Sequence, residues 1–463
     1  MIWSLLLSCT VAPEAPAPKP DIVVVVIDTL RADHLSLYGH ERKTSPYMDQ
    51  LGAEGTWFHR NYASSGWTLP SMASLISGLY PHQHLVGRLA FRGTEFGKLD
   101  AAITTLPEAL KSEGYATAAV VNNTFMAPAF ELNQGFDSYD YQGASNVEHR
   151  TAVETSDLGL AWLDQQQSPS FLFLHFMEPH LNYAATPPHL GRFSKANPAA
   201  EAIKLDELVG KSHRHTPPTK EVQEYVRQRY DEEIRVADDG IRHLVDQLKS
   251  RGRWQNTALI VTSDHGEEFW DHGGFEHGHT LMGELTRVPL IAAGGVVPKH
   301  GRVDAVVEHV DVVAGLLALA GAPKVDGMLG TNLWSIADGS AKNHDNTALS
   351  ENILYGSPKV SVVDATARLE FDFETSRGAL WTVDPDGVER SPVPRDKTSE
   401  VGPKLSAAIT KIRGSMMPID GVGGVTIGDW EMFNQLRSLG YIEGPGPENA
   451  IIPTDPPEAV PSP

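Results

Sequence analysis

The stretch DIVVVVID, residues 21–28, decides the fold of this chain. Its unbroken β-branched run predicts a parallel strand that is buried on both faces of a sheet. Further strands are predicted at 115–122, 170–176, 257–264, 288–294 and 305–310. Helical patterns lie between the strands at 104–114, 152–166, 221–250 and 311–321. The alternation predicts an α/β sandwich around a mostly parallel sheet.

The pattern changes from about Asn343 onward. Short strands at 359–374 and 378–393, the latter with an Asp386-Gly387 turn, predict a small C-terminal antiparallel sheet. A helix is predicted at 430–439. We therefore expect four parts: a leader and Pro/Ala-rich linker (1–20), a catalytic α/β domain (21–342), a C-terminal subdomain (343–443) and a disordered tail (444–463).

Composition excludes several classes of protein. The 463 residues carry a formal net charge of -21, which argues against a nucleic-acid partner because phosphate backbones require a basic surface. The sequence contains no internal apolar run long enough to suggest a membrane span. The one cysteine, Cys9, excludes an intrachain disulfide.

Cys9 ends the short apolar run MIWSLLLSC and precedes a Pro/Ala-rich stretch. The tetrapeptide LLSC resembles the lipobox of bacterial lipoprotein signals. That resemblance implies acylation of Cys9, membrane anchoring, and a location in the cell envelope, either the periplasm or the outer surface. The alternative is an apolar N-terminus without such a role.

The segment SSGWTLPSMASLISG, residues 64–78, predicts a loop that turns into a short helix ending at Gly78. Thr68 is placed at the helix entry, where backbone N–H groups and the helix dipole favour an anion. A hydroxyl there is suitably placed to attack a phosphate or sulfate ester. The alternative is that Thr68 only caps the helix.

This segment resembles the sulfatase signature C-x-P-S-R-x-x-L-x-[S/T]-G. The positions that match are Pro70, Ser71, Leu75, Ser77 and Gly78. Thr68 stands where sulfatases carry the Cys or Ser that is oxidised to formylglycine, and Met72 stands where they carry Arg. The resemblance therefore implies a sulfatase-type fold, and the two departures predict that no formylglycine forms.

A metal site is predicted where strands end. Asp28 and Asp264 close two strands, at the sheet edge where α/β proteins bind ligands. With His265 and the Thr68 hydroxyl they form an oxygen-plus-imidazole set, which suits zinc or manganese better than calcium. The alternative for a strand-end Asp is a turn or helix-cap residue.

The resemblance bears on this metal set as well. Sulfatases usually carry Asp-Asp and Asp-Asn at these positions, where this chain has Asp28-Thr29 and Asp264-His265. The set is similar to that of the wider alkaline phosphatase superfamily, including phosphoethanolamine transferases and lipoteichoic acid synthases. That similarity implies a Thr nucleophile beside a transition metal.

Histidines are concentrated in DHGEEFWDHGGFEHGHTL, residues 264–281. By resemblance, His277 and His279 lie where the family contacts the substrate oxyanion, and His180 in MEPHLNY matches a substrate histidine. Such groups stabilise negative charge or protonate a leaving oxygen. For His272 the sequence leaves two roles open: support of a metal ligand, or a plain loop residue.

Two further motifs depart from the family or support its site. The sulfate-clamping G-K-W-H is absent, and the corresponding stretch contains Asn122 and Asn123, either hydrogen-bond donors to the substrate or plain loop residues. Arg31 and Asp33 are interpreted as structural supports of the loop that follows Asp28.

Together these features predict a metal-dependent ester hydrolase or transferase that acts through Thr68 on a phosphate-type or sulfate ester. The expected substrate is a small-molecule or a glycan- or lipid-linked anionic ester. Two alternatives remain open: a sulfatase that works without formylglycine, and a binding protein that keeps the fold without turnover.

Overall fold

The structure is a computed structural model. It describes residues 18–88, 95–143, 149–167, 169–195, 217–393, 398–414, 424–426 and 435. Cys9, most of the leader and linker, the tail and, apart from Gln435, the helix predicted at 430–439 lie outside the described residues.

A nine-stranded mixed sheet forms the centre of the fold. Its strands are β1 (Asp21–Ile27), β2 (Thr56–Tyr62), β5 (Ala116–Val121), β6 (Ser138–Tyr141), β7 (Ser170–Phe176), β8 (Thr257–Ser263), β11 (Arg287–Val288), β12 (Leu290–Ala293) and β13 (Gly301–Glu308). The order is β11-β2-β12-β8-β1-β7-β5-β6, with β13 beside β2. The run predicted at 288–294 is divided at Pro289, which has no N–H to donate to a neighbouring strand.

Strand β1 lies between β7 and β8, parallel to both. All of its residues are buried, as the β-branched run predicted. Ile27 pairs with Ser263, so β1 and β8 end at the same level. The residues that follow, Asp28 and Asp264, therefore emerge side by side.

Helices cover both faces of the sheet. They are α1 (Pro46–Glu54), α2 (Thr68–Ser77), α3 (Pro81–His84), α4 (Leu106–Ser112), α5 (Ala152–Leu163), α6 (Lys220–Ser250), α7 (Gly283–Thr286), α8 (His309–Ala320), α9 (Leu333–Ala337) and α10 (Thr398–Arg413). Alternate residues of β1 belong to two apolar clusters, one that includes residues of α2 and α8 and one that includes residues of α5 and α6. This confirms the predicted sandwich.

The predicted C-terminal antiparallel sheet is present. It consists of β14 (Ala348–Glu351), β15 (Lys359–Val363), β16 (Ala367–Asp372), β17 (Arg377–Val383) and β18 (Glu389–Pro392), paired in that order. The β17–β18 turn contains Gly387 at φ +81°, a backbone conformation that glycine adopts without strain. Helix α10 contributes Leu405 to the apolar cluster beneath this sheet.

The remaining strands form two small sheets. They are β3 (Gly87–Arg88), β4 (Glu95–Gly97) and β19 (Gly424–Thr426) in one, and β9 (Glu268–Phe269) and β10 (Phe275–Glu276) in the other. Among the helices that the structure describes, none combines the length and the apolar character needed to cross a bilayer.

Candidate active site

Helix α2 begins at Thr68, and Trp67 is its N-cap residue. Thr68 is thus the first residue inside the helix, so the alternative that it serves only as the N-cap is wrong. Its hydroxyl lies 3.2 Å from Nε2 of His265 and is fully buried. Met72, one turn further on, is buried in the apolar core. Gly78 adopts the left-handed conformation that ends the helix.

In each of the carboxylates of Asp28 and Asp264, one oxygen accepts hydrogen bonds and the other oxygen accepts none among the described residues. Oδ2 of Asp28 accepts a 2.7 Å hydrogen bond from Asn123, and Oδ1 of Asp264 accepts bonds from the backbone N–H groups of Thr29 and His265. Among the described residues, Oδ1 of Asp28 and Oδ2 of Asp264 have no hydrogen-bond partner, although both are buried. Buried oxygens of this kind are costly unless a cation or donor satisfies them.

His265 lies at the centre of these oxygens. Its Nε2 is 3.3 Å from Oδ2 of Asp264 and 3.7 Å from Oδ1 of Asp28, besides its contact with Thr68. Its Nδ1 lies 2.9 Å from the carbonyl of Gly266. A metal-binding imidazole commonly donates its other N–H to such a carbonyl, which fixes the ring and its tautomer.

The two carboxylates influence each other strongly. Burial and then the charge of Asp28 hold the pKa of Asp264 well above its ordinary value. Burial also acts to raise the pKa of Asp28, but His180 and His175 outweigh it and leave that pKa below its ordinary value. Donor oxygens of the two carboxylates lie within 4.8 Å of each other, so their charges repel, and either a proton or a cation would relieve that repulsion.

Three imidazoles line the same site. The His277 ring centroid lies 4.4 Å from that of His265 and 5.3 Å from that of His180. Glu267 accepts a 2.8 Å bond from Nδ1 of His277 and a 2.9 Å bond from the hydroxyl of Tyr183. Burial lowers the pKa of both His180 and His277, and in His277 the neighbouring His265 adds to the effect. Burial therefore favours the neutral form of both rings.

The other two histidines of the motif have carboxylate partners of their own. Nε2 of His279 lies 2.6 Å from Glu268 on β9. Nδ1 of His272 lies 2.7 Å from Glu284, which is not one of the proposed metal ligands. The substrate contact expected of His279 stays a prediction.

Several site residues were not singled out as functional from the sequence. His175 on β7 is buried with Nε2 3.3 Å from Oδ2 of Asp28, and it lay hidden inside an apolar strand. Buried Glu276 is 3.9 Å from Nε2 of His277. Asn123 was left open and proves to orient Asp28, whereas Asn122 bonds Thr155 and belongs to the scaffold. Glu267 and Glu276 could have been found from the sequence, because both lie within the histidine-rich motif at residues 264–281.

Comparison with known proteins identifies the family of this chain. The profile of the family described as Sulfatase matches residues 20–322, more than half of the chain. The chain belongs to the sulfatase family. The matched region includes every proposed site residue.

Individual similarities are distant. An arylsulfatase of Hemicentrotus pulcherrimus is 25% identical over 66% of this chain and 59% of its own length. An N-acetylgalactosamine-6-O-sulfatase of Bacteroides thetaiotaomicron is 25% identical over 66% of this chain and 73% of its own. The crystal structure of the phosphonate monoester hydrolase of Agrobacterium radiobacter superposes with a TM-score of 0.68, covering 88% of this chain and 97% of that chain at 19% identity.

These relatives are named as ester hydrolases, and the superposition shows a shared fold. The arylsulfatase extends well beyond the part that this chain matches. The comparisons therefore support an ester hydrolase as the class of protein and leave the ester itself open.

Proposed function

We propose that this chain is a metal-dependent ester hydrolase that attacks a sulfate or phosphate-type ester with the unmodified Thr68 hydroxyl. The observation that carries the proposal is the convergence of this hydroxyl with two half-satisfied carboxylates and one imidazole. Family membership supports the reaction class.

The donor set fits a small divalent cation. The donor atoms of Asp28, Asp264 and His265 all lie within 4.8 Å of one another. Donors around a tetrahedral zinc ion lie about 3.4 Å apart, close to the 3.2, 3.3 and 3.7 Å measured from Nε2 of His265. Because one donor is an imidazole nitrogen, we favour zinc or manganese over calcium. Such a cation supplies Lewis-acid charge that favours the ionised hydroxyl.

Thr68 would perform the first half of the reaction. Its Oγ1 loses a proton and forms a bond to the sulfur or phosphorus atom, while the bond from that atom to the organic oxygen breaks. The electron pair leaves with the organic oxygen, which takes up a proton. Water then cleaves the ester formed on Thr68 and regenerates the hydroxyl; an alcohol in place of water would give transfer.

His277 and His180 would act on the oxyanion and on the leaving group. Glu267 stabilises a proton on Nδ1 of His277 and orients the ring, so that a positive charge formed during turnover is compensated. His180 adds a second imidazole against the same ring. Because Nδ1 of His277 faces Glu267 and Nδ1 of His180 faces the carbonyl of Leu181, Nε2 of each neutral ring is an acceptor, and it would donate to the oxyanion or leaving group only after taking up a proton.

A sulfatase that works without formylglycine would use the same chemistry on a sulfate ester. Only the substrate preference therefore distinguishes it from an enzyme that acts on a phosphate-type ester. The third reading, a binding protein without turnover, would keep the metal and lose the reaction. The site geometry favours an enzyme, because a buried hydroxyl in contact with the central imidazole serves no structural cap.

One experiment tests the proposal. The protein is purified without chelators, its metal content is measured by inductively coupled plasma mass spectrometry, and it is assayed with matched aryl sulfate, phosphate monoester and phosphodiester. We expect one transition metal per chain and turnover of at least one ester that chelation abolishes. Bound metal without turnover of any ester would support the binding protein; turnover unaffected by chelation would overturn the metal assignment.

A further inference from the structure

Glu276 is a buried carboxyl that takes no part in the proposed attack by Thr68. It is the last residue of β10 and is 1% exposed. Within the described parts of the chain its Oε1 makes no hydrogen bond, and this oxygen lies 3.9 Å from Nε2 of His277. Because a carboxyl oxygen buried without a partner is costly, this position points to a group that is bound there during the reaction.

The backbone at Glu276 brings its side chain to the same side as that of His277. Neighbouring side chains of an extended strand point to opposite faces. Glu276, however, adopts a φ of +74°, a left-handed conformation that is uncommon for a residue other than glycine. Backbone strain of this kind is concentrated at functional sites, where the surrounding structure maintains it.

The loop that carries these two side chains is anchored at both ends. The N–H of Gly278 donates a 2.9 Å hydrogen bond to the carbonyl of Gly66, two residues before Thr68. On the other side, the ring of Phe275 stacks on that of Trp270 with 4.6 Å between centroids. The pair is therefore held beside the segment that enters α2 and carries the proposed nucleophile.

The two side chains differ in the proton that they can supply. Nδ1 of His277 faces Glu267, so Nε2 of the neutral ring is an acceptor. Burial and then the charge of Glu267 hold the pKa of Glu276 well above its ordinary value, which favours the protonated carboxyl. The pair therefore combines an acceptor nitrogen with a carboxyl O–H that can donate.

One oxygen atom of a substrate can contact both groups at once. The 3.9 Å between Oε1 of Glu276 and Nε2 of His277 is too long for a direct hydrogen bond. An oxygen placed about 2.8 Å from each atom would meet them at an angle of about 90°, which suits an ether-type or alcohol oxygen. The organic oxygen of an ester that Thr68 attacks is such an atom.

We propose that Glu276 is the catalytic acid that protonates the organic oxygen of the ester as it leaves. This inference rests on the proposed function and deepens it. The bond from sulfur or phosphorus to that oxygen breaks, its electron pair stays on the oxygen, and the oxygen takes the carboxyl proton of Glu276. In the second half, water forms the new bond to sulfur or phosphorus and gives a proton to the Glu276 carboxylate. The proton that Thr68 loses is a different one, and it returns to Oγ1 when the ester on Thr68 is cleaved.

Dependence on the leaving group tests this role in the full chain as purified. Values of kcat/KM are measured for the phenyl and 4-nitrophenyl esters of the acid that the parent hydrolyses, because this parameter covers only the steps up to departure of the phenol. Glu276→Gln keeps the size of the side chain and loses the transferable proton. We expect it to lower kcat/KM at least about 100-fold for the phenyl ester and less than about threefold for the 4-nitrophenyl ester, whose leaving oxygen needs no proton.

The matched control is Glu284→Gln, which removes another buried carboxyl, one that lies 2.7 Å from Nδ1 of His272. It should leave both kcat/KM values unchanged. An equal fall on both esters in Glu276→Gln, or no fall on either, would overturn the inference and leave the hydrolase in place. If the parent hydrolyses no ester, the proposed function fails and the inference fails with it.

The parent protein provides a second reading if Glu276→Gln does not fold. With an acid in place, kcat/KM for the phenyl ester should lie within about 100-fold of the value for the 4-nitrophenyl ester. A larger gap would show that the leaving oxygen departs without a proton, and it would overturn the assignment of Glu276.

Discussion

The sharpest test of the proposed mechanism compares Thr68→Val with Thr68→Ser. Valine keeps the shape of the buried side chain and removes the hydroxyl, so Nε2 of His265 loses the contact at 3.2 Å. Leaving a buried partner unsatisfied costs about 1–3 kcal/mol of unfolding free energy. Serine keeps the hydroxyl and loses one buried methyl, at about 1 kcal/mol.

Activity should respond on a different scale. If Thr68 is the nucleophile, Thr68→Val should lose at least about four orders of magnitude in kcat, which corresponds to about 5.5 kcal/mol of barrier. A loss of stability of at most about 3 kcal/mol cannot explain this, since folded domains have about 5–15 kcal/mol in reserve. Thr68→Ser should retain measurable turnover.

The assay pairs urea unfolding with initial rates on an ester that the parent protein hydrolyses. Ser77→Ala is the matched control, because it removes another buried hydroxyl of α2, one that donates to the carbonyl of Ala73 at 2.6 Å. Its turnover should equal that of the parent. Turnover by Thr68→Val at a hundredth of the parent rate or above would refute the nucleophile assignment.

Three further outcomes are expected. Peptide mass analysis should find unmodified or esterified threonine at Thr68, and any oxidised form would contradict the absence of formylglycine-type maturation. His265→Ala should lower bound metal at least about tenfold whereas His272→Ala retains it, and equal metal in both would reject the ligand set. Burial and then Glu178 raise the pKa of Glu233 to about 8, so the folded state holds an extra proton from about pH 5 to 8 and the free energy of unfolding falls across that window. The stability of Glu233→Gln relative to the parent should therefore be greater at pH 8 than at pH 5, as measured by urea unfolding. If the free-energy difference between variant and parent is the same at both pH values, the folded parent does not hold this extra proton on Glu233.

The sequence predicted the sheet centre and the meeting of Asp28 with Asp264 because both depend on local patterns. The β-branched run 21–28 can be satisfied only between two other strands, and the register of β1 with β8 follows from burying it. Once these strands are neighbours, Asp28 and Asp264 must meet at one edge. Family resemblance supplied the position at which a nucleophile is predicted, Thr68.

What the sequence could not predict depends on long-range contacts. The contact of His175 with Asp28 arises from how far β7 extends beside β1, a detail that an apolar run does not encode. Nothing local indicates that Asn123 bonds Asp28 while Asn122 bonds Thr155.

The pairing of β1 with β8 also constrains the order in which the protein can fold. Asp28 is synthesised 229 residues before Thr257, where its partner strand β8 begins, so over this interval the nascent chain carries a strongly apolar strand edge without that partner. Contacts of such sequence separation form slowly, and exposed strand edges invite aggregation. The proposed cation site could not template early folding, because Asp264 and His265 are made only after β8. Metal capture would then follow the docking of β8 and mark a late, near-native chain.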